Sequence, residues 1–102
     1  MQLNAGNNTD FRKEYPVLQR LKKLYPSSPV GMLIKLRALM AEKGINIEDD
    51  PESIDNVMAS IVRHKLTHYD DMLRRGIPKD NSRFIVETQV RRTMDELRKE
   101  RV

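Results

Sequence analysis

Apolar residues recur every three to four positions in four stretches of the chain, which is the spacing of one face of an α-helix. The clearest stripe lies near the C-terminus. It consists of Val86, Val90, Met94 and Leu97. Asp80 or Ser82 is expected to cap this last helix. The pattern predicts an all-α fold, a small single-domain bundle of about four helices over residues 11–102, behind a disordered N-terminal tail at residues 1–10.

Proline and glycine mark where the first two helices begin and end. The first helix is predicted at Phe11–Leu24 and is expected to begin in earnest after Pro16. Ser28 is expected to cap the second helix with Pro29 at its first position, and Gly44 is expected to end it. Apolar side chains surround almost the whole circumference of the second helix, as in a helix at the centre of a bundle. They are Met32, Leu33, Ile34, Leu36, Leu39 and Met40.

The segment between the second and third helices, "INIEDD", alternates apolar and polar residues as an edge strand does. Since the chain has no second strand to pair with it, we predict a loop.

The third helix is predicted to run without a break from Asp50 to Arg75, because Asp50 and Pro51 form a cap and first position and Gly76 ends the pattern. At 3.6 residues per turn its inward row can be read directly. The row is Ile54, Met58, Ile61, Lys65, His68 and Met72. We therefore expect His68 to be largely buried, because its side chain is too short to reach solvent from that row.

Composition limits the class of protein. The 102 residues leave no room for a second domain, and the 38% hydrophobic content is too high for a fully disordered chain. The absence of cysteine excludes disulfides, thiolate metal sites and a cysteine nucleophile. No segment approaches the ~18 apolar residues that span a bilayer, and the N-terminus lacks the pattern of a signal peptide. We expect a cytoplasmic protein without a membrane partner.

Two histidines four residues apart have the spacing of metal ligands on a helix. A metal-dependent enzyme using His64, His68 and Asp71 is therefore one alternative function. A catalytic zinc site needs three protein ligands and an open water position, and the general-base glutamate of an H-E-x-x-H helix is missing. We favour a structural pair with no metal and no cofactor. The chain also lacks a P-loop, a dinucleotide glycine pattern and a nucleophile elbow, so an enzyme is the less favoured interpretation.

The charge balance favours an acidic partner, because 19 Lys and Arg against 15 Asp and Glu give a net charge of +4. A basic face is predicted on the last helix, opposite its apolar stripe. It consists of Arg91, Arg92, Arg98 and Lys99. Asp95 lies within this face and would repel phosphate. Nucleic acid is the leading partner class, and another protein is the alternative.

Three segments, "LYPSSP", "IVRHKLTHYDDMLRRG" and "NSRFIVETQVRRTMDEL", resemble an uncharacterised domain family of bacteria and fungi, domain of unknown function number twenty-two ninety-three. The family pattern has a Y/F-P-x-x-P turn, an R-H-x-x-T-x-Y-D-x-L-L helix ending in glycine, and a final helix led by Ala-Arg. The resemblance spans about Tyr25 to Leu97. His68 lies outside the pattern, and this chain has Met72 for a leucine, Ser82 for the alanine and "INIEDDPES" for a stretch rich in glycine and arginine. The resemblance to this family implies the fold and a shared polar site, but it does not imply a chemical activity.

The resemblance groups polar side chains of the third helix into one candidate site. They are Arg63, His64, Thr67, Tyr69 and Asp70, with Arg83 able to approach from the last helix. An Arg to Asp bridge that locks the two helices together is the structural interpretation, and a recognition surface is the functional one. We interpret the chain as a non-catalytic helical binding module for nucleic acid, with a protein-interaction or regulatory module as the alternative.

Overall fold

A computed structural model describes residues 11–48 and 50–100, and in this part of the chain all regular structure is α-helical. The helices are α1 at Phe11–Leu24, α2 at Val30–Lys43, α3 at Pro51–Leu66, α4 at Tyr69–Arg74 and α5 at Lys79–Arg98. The predicted all-α bundle of about four helices is confirmed, with the six-residue α4 as an addition. The tail predicted at residues 1–10 lies outside the described residues. None of the described helices is long and apolar enough to cross a membrane.

The ends of α1, α2 and α3 follow the local signals in part. α1 has the predicted bounds, but it continues through Pro16, where one backbone hydrogen bond is lost in the second turn. Gly44 ends α2 in the left-handed conformation, with φ at 71°. The Asp50 side chain caps α3 by accepting from the Glu52 amide at 3.1 Å, as predicted. The segment around Ile45 is a loop, also as predicted.

The predicted side-chain caps of α2 and α5 are wrong. The Ser28 hydroxyl donates to the Pro29 carbonyl at 2.9 Å instead of accepting from the helix. α5 begins at Lys79 with Pro78 in the capping position, so Asp80 already lies inside the helix. Ser82 is fully buried, and its hydroxyl donates to the Ile77 carbonyl at 3.4 Å.

The third predicted helix is broken, and the expectation of one continuous helix from Asp50 to Arg75 is wrong. Thr67 adopts an extended conformation, which separates α3 from α4. Its hydroxyl donates to the Arg63 carbonyl and accepts from the Tyr69 amide. One side chain therefore provides a hydrogen-bond partner to a backbone group at the end of α3 and to another at the start of α4. The break turns His68 out to solvent, and the predicted burial of His68 is therefore also wrong. Tyr69 takes the buried position instead, at 2% exposure.

The centre of the bundle is α3, which packs against α2, α4 and α5. The prediction that α2 is the central helix is wrong, because α2 packs mainly on α1 and α3 and leaves Val30 and Ile34 exposed. The predicted stripe of α5 is buried along its whole length. The complete core is Leu21, Tyr25, Leu33, Leu36, Met40, Ile54, Val57, Met58, Ile61, Val62, Tyr69, Val86, Val90, Met94 and Leu97.

The end of α5 is fastened to the α1–α2 turn and to α3. The buried Tyr25 hydroxyl donates to the Asp55 carboxylate, and Arg98 donates to the same carboxylate at 2.8 Å. The Ser27 amide donates to the Leu97 carbonyl at 3.0 Å, and the Ser27 hydroxyl donates to the Lys99 carbonyl at 2.6 Å. We call the three side chains Tyr25, Asp55 and Arg98 the C-terminal clamp.

Candidate functional site

Part of the predicted polar cluster joins α3 to α4. Nδ1 of His64 lies 2.6 Å from Oδ1 of Asp70, and its ring meets the Tyr69 ring edge to face at 5.2 Å between centroids. The Thr67 hydroxyl bridges the two helix ends. Gln89 of α5 adds a bond of 3.4 Å to the Leu66 carbonyl. Within the described residues these side chains have structural partners, and the Arg to Asp bridge proposed from the sequence does not form, because Asp70 pairs with His64.

The two arginines of the cluster behave differently. The Arg63 guanidinium lies over the Tyr69 ring, 5.8 Å from its centroid, which is within cation–π range. Partial burial lowers the pKa of Arg63, and the nearby positive charge of Arg83 lowers it further. Neither arginine forms an ion pair with an acidic side chain in the part of the chain that the structure describes. The fold therefore holds two like charges near each other, and neither of them forms an ion pair within residues 11–48 and 50–100.

Both arginines line an open groove between α3 and α5, of about 390 Å³. The residues of this α3–α5 groove are Ala59, Arg63, Asp80, Arg83, Phe84, Glu87, Val90 and Arg91. Ala59 and Arg63 are one turn apart on α3, so they face the groove together. Arg91 is exposed and, like Arg83, has no ion pair among the described residues. The groove brings together three guanidinium groups from two helices, none of which forms an ion pair with another described residue.

The predicted basic face of α5 is divided by the structure. Arg98 is held by Asp55 at 2.8 Å and by Asp95 at 3.3 Å, and Lys99 pairs with Glu96 at 3.2 Å. These two cations are already partly neutralised within the protein. Arg91 lies in the α3–α5 groove, and Arg92 is exposed without an ion pair among the described side chains. Arg91 therefore belongs to a different basic surface from the one that the sequence predicts.

The candidate metal ligands are not gathered. Because the helix ends at Leu66, His64 and His68 are not one turn apart on a continuous helix. Asp71 forms ion pairs with Arg74 at 3.3 Å and with Arg75 at 3.1 Å. Over the described residues there is no group of three or more histidines, cysteines or carboxylates placed to hold a metal ion. The geometry gives the metal-enzyme alternative no support.

The sequence did not predict the groove, because Arg63 and Arg83 were assigned to the polar cluster and Arg91 to the basic face of α5. A signal was present in α5, where the groove residues follow helical spacing. They are Asp80, Arg83, Phe84, Glu87 and Arg91, at positions i, i+3, i+4, i+7 and i+11. This row lies next to the apolar stripe of the same helix, and Val90 of that stripe also lines the groove. Phe84 in particular was not recognised as a surface residue, although it is 78% exposed.

The groove, the α3–α4 junction and the clamp all lie within one stretch of the chain that comparison with known proteins covers. Neither a curated protein nor a solved structure matches the chain. A family model, described as uncharacterized conserved protein (DUF2293), matches residues 20–98. That range includes all of α2, α3, α4 and α5 and both walls of the α3–α5 groove. With more than three quarters of its length covered by the match, this chain belongs to the DUF2293 family.

Proposed function

We propose that the protein is a non-catalytic module that binds nucleic acid in the α3–α5 groove, where Arg63, Arg83 and Arg91 contact phosphate. The observation that carries this proposal is the convergence of three guanidinium groups without acidic partners among the described residues. Arginine presents a planar fork of donors that matches phosphate oxygens. An anion in the groove would relieve the repulsion between Arg63 and Arg83.

The three arginines of the groove differ in how firmly the protein holds them in place. Arg63 is half-buried and rests on the Tyr69 ring, which is itself part of the core. A positioned guanidinium loses little side-chain entropy when it binds. Arg83 and Arg91 are exposed on α5, two turns apart, a separation that suits successive contacts along a backbone. The arrangement supports an anchored contact at Arg63 and adaptable contacts at the other two.

The test is the salt dependence of nucleic-acid binding, measured by fluorescence anisotropy with labelled 20-nucleotide single strands and a 20-base-pair duplex between 50 and 200 mM NaCl. The variants are Arg63→Gln, Arg83→Gln and Arg91→Gln. Each should reduce the slope of log affinity against log salt by about one unit for every phosphate contact removed. Arg83→Gln should leave the free energy of unfolding unchanged or slightly increased, because it removes a like charge near Arg63.

Arg92→Gln is the matched control, since Arg92 is an exposed arginine of α5 that forms no ion pair with the described side chains and does not line the groove. It should keep the wild-type slope. Lack of measurable binding to any probe at 50 mM salt, or identical slopes in all four variants, would refute the proposal. A reduced slope for Arg92→Gln alone would favour the basic face predicted from the sequence.

A protein partner is the second candidate, and one observation favours it. Val30 and Ile34 lie one turn apart on α2 and are 64% and 53% exposed. Exposed apolar side chains at i and i+4 are used by helices that dock on other proteins. Substituting both with serine should leave nucleic-acid binding unchanged if the α3–α5 groove is the binding surface.

A further inference from the structure

Phe84 is the most exposed large hydrophobic side chain of the described residues, at 78%. It lies on the outer side of α5, where the core makes no use of it. Leaving an aromatic ring in water forgoes the favourable free energy of burying it. The position therefore contributes little to folding, and its chemistry is available to a ligand.

The ring separates two hollows of the surface. On one side is the α3–α5 groove, with its three arginines. On the other side is a smaller hollow of about 290 Å³, lined by Asp80, Asn81, Phe84 and Ile85. The ring is therefore exposed to both hollows and is adjacent in sequence to Arg83. An exposed aromatic ring next to unpaired arginines is the combination found where proteins bind unpaired nucleotides.

The groove also contains two carboxylates, Asp80 and Glu87, which would repel the phosphates of a ligand that presented phosphate alone. Base edges are different, because the amino groups of cytosine and adenine are hydrogen-bond donors and a carboxylate can accept from them. A groove with guanidinium and carboxylate groups side by side therefore suits a strand whose phosphates and base edges are both accessible. In a duplex the Watson–Crick edges are paired and the base faces are stacked on one another, so neither is available to an exposed aromatic ring.

We infer that the nucleic acid bound by this protein is single-stranded and that one of its bases stacks on Phe84, while the neighbouring phosphates contact Arg83 and Arg91. This inference rests on the proposed function and makes it more specific. The base adjacent to the ring would lie beside Asp80 or Glu87, which gives the site a preference for bases with an exocyclic amino group.

The first test compares Phe84→Ala with Ile34→Ala, a control that also removes an exposed apolar side chain but lies on α2, outside both hollows. Single-stranded RNA and DNA of 20 nucleotides and a 20-base-pair duplex are the probes, at 50 mM salt. Loss of one stacked base lowers affinity by about 1–3 kcal/mol, so Phe84→Ala should weaken single-strand binding by about 5- to 150-fold. Duplex binding should be unchanged, and Ile34→Ala should have little effect on the binding of single strands or duplex. The RNA and DNA arms report whether the site uses the 2′-hydroxyl.

The second test uses the absence of tryptophan from the chain. Phe84→Trp introduces a single indole in an exposed position, and a base stacked on it quenches its fluorescence. Quenching by the single strands but not by the duplex is the expected result, and it is specific to stacking. Phe84→Trp should also retain the single-strand affinity that Phe84→Ala loses.

The outcomes separate the inference from the proposed function. If the arginine variants alter binding but Phe84→Ala does not, the stacking inference is refuted and the electrostatic proposal stands. Equal losses for Phe84→Ala and Ile34→Ala, or a wild-type preference for the duplex, would also refute stacking. If the wild-type protein binds none of the three probes, both proposals fail together.

Discussion

The C-terminal clamp gives the sharpest stability prediction, which is that Asp55→Ala destabilises the fold by about 2–4 kcal/mol. The larger part of this expected loss comes from Tyr25, a core residue at 1% exposure whose hydroxyl donates to Asp55. A hydrogen bond to a charged group contributes about 1.5–3 kcal/mol, and the truncation leaves a buried hydroxyl without its acceptor. The ion pair with Arg98 adds at most about 1 kcal/mol, because the side chains of Asp55 and Arg98 remain 37% and 42% exposed.

The assay is urea denaturation followed by circular dichroism, with a double-mutant cycle on Tyr25→Phe and Asp55→Ala. A domain of this size has about 5–15 kcal/mol of stability in total, so the expected loss shifts the midpoint clearly. The coupling free energy between Tyr25 and Asp55 should exceed about 1 kcal/mol. The matched control is Asp95→Ala, because Asp95 pairs with the same Arg98 at 3.3 Å but is 74% exposed. It should cost no more than about 0.5 kcal/mol.

The prediction is refuted if Asp55→Ala lowers the free energy of unfolding no more than Asp95→Ala does. It is also refuted if the effects of Tyr25→Phe and Asp55→Ala are additive, because the clamp then does not stabilise the fold. A changed denaturant slope would instead indicate that the end of α5 detaches from the domain before global unfolding.

Three further predictions concern pH, the helix break and the glycines. Burial, reinforced by the hydrogen bond and negative charge of Asp55, raises the pKa of Tyr25 above its ordinary value of 10.0. As the pH rises, the folded state keeps the phenol proton longer than the unfolded chain does. The stabilisation that Tyr25 contributes is therefore complete below pH 10 and is lost above it, by at most about 1.4 kcal/mol per pH unit. Unfolding measured between pH 8 and 11 should show this loss in wild type but not in Tyr25→Phe, and parallel curves would contradict it. Thr67→Val should cost about 0.5–2 kcal/mol in thermal unfolding, whereas Thr67→Ser, which keeps the hydroxyl, should cost much less. Gly44→Ala should destabilise by about 1 kcal/mol because of the positive φ, and Gly31→Ala should stabilise by about 0.4–1 kcal/mol, since a Cβ meets nothing within 4 Å at either position. Equal effects at the two glycines, or equal losses for the two threonine variants, would contradict these explanations.

Local signals predicted much of the fold. The end of α2 at Gly44 and the cap at Asp50 depend on backbone preferences of single residues, and the buried stripe of α5 depends on periodicity. The break at Thr67 was also encoded locally, because Thr67 and Asp70 form the T-x-x-D pattern that opens a helix. Periodicity alone favoured one continuous helix, because Met72 extends the inward row beyond Lys65 and His68.

The candidate site depended on contacts that periodicity does not contain. Arg98 was assigned to a free basic face, but it meets Asp55, 43 residues earlier in the chain. Arg63 and Arg83 approach each other only because α5 packs on α3. Helical spacing identifies which side chains share a face, but the packing of one helix on another decides which faces meet.

The bonds from Ser27 to the end of α5 also have a consequence for the order of folding. They connect positions up to 72 residues apart, so the α1–α2 turn acquires these partners only after α5 has docked. During synthesis on the ribosome, α1 and α2 emerge long before the residues that complete their turn. We expect this helical hairpin to remain unfinished, with the Ser27 amide and hydroxyl lacking these partners, until nearly the whole domain has been translated, and the domain then to fold as one cooperative unit.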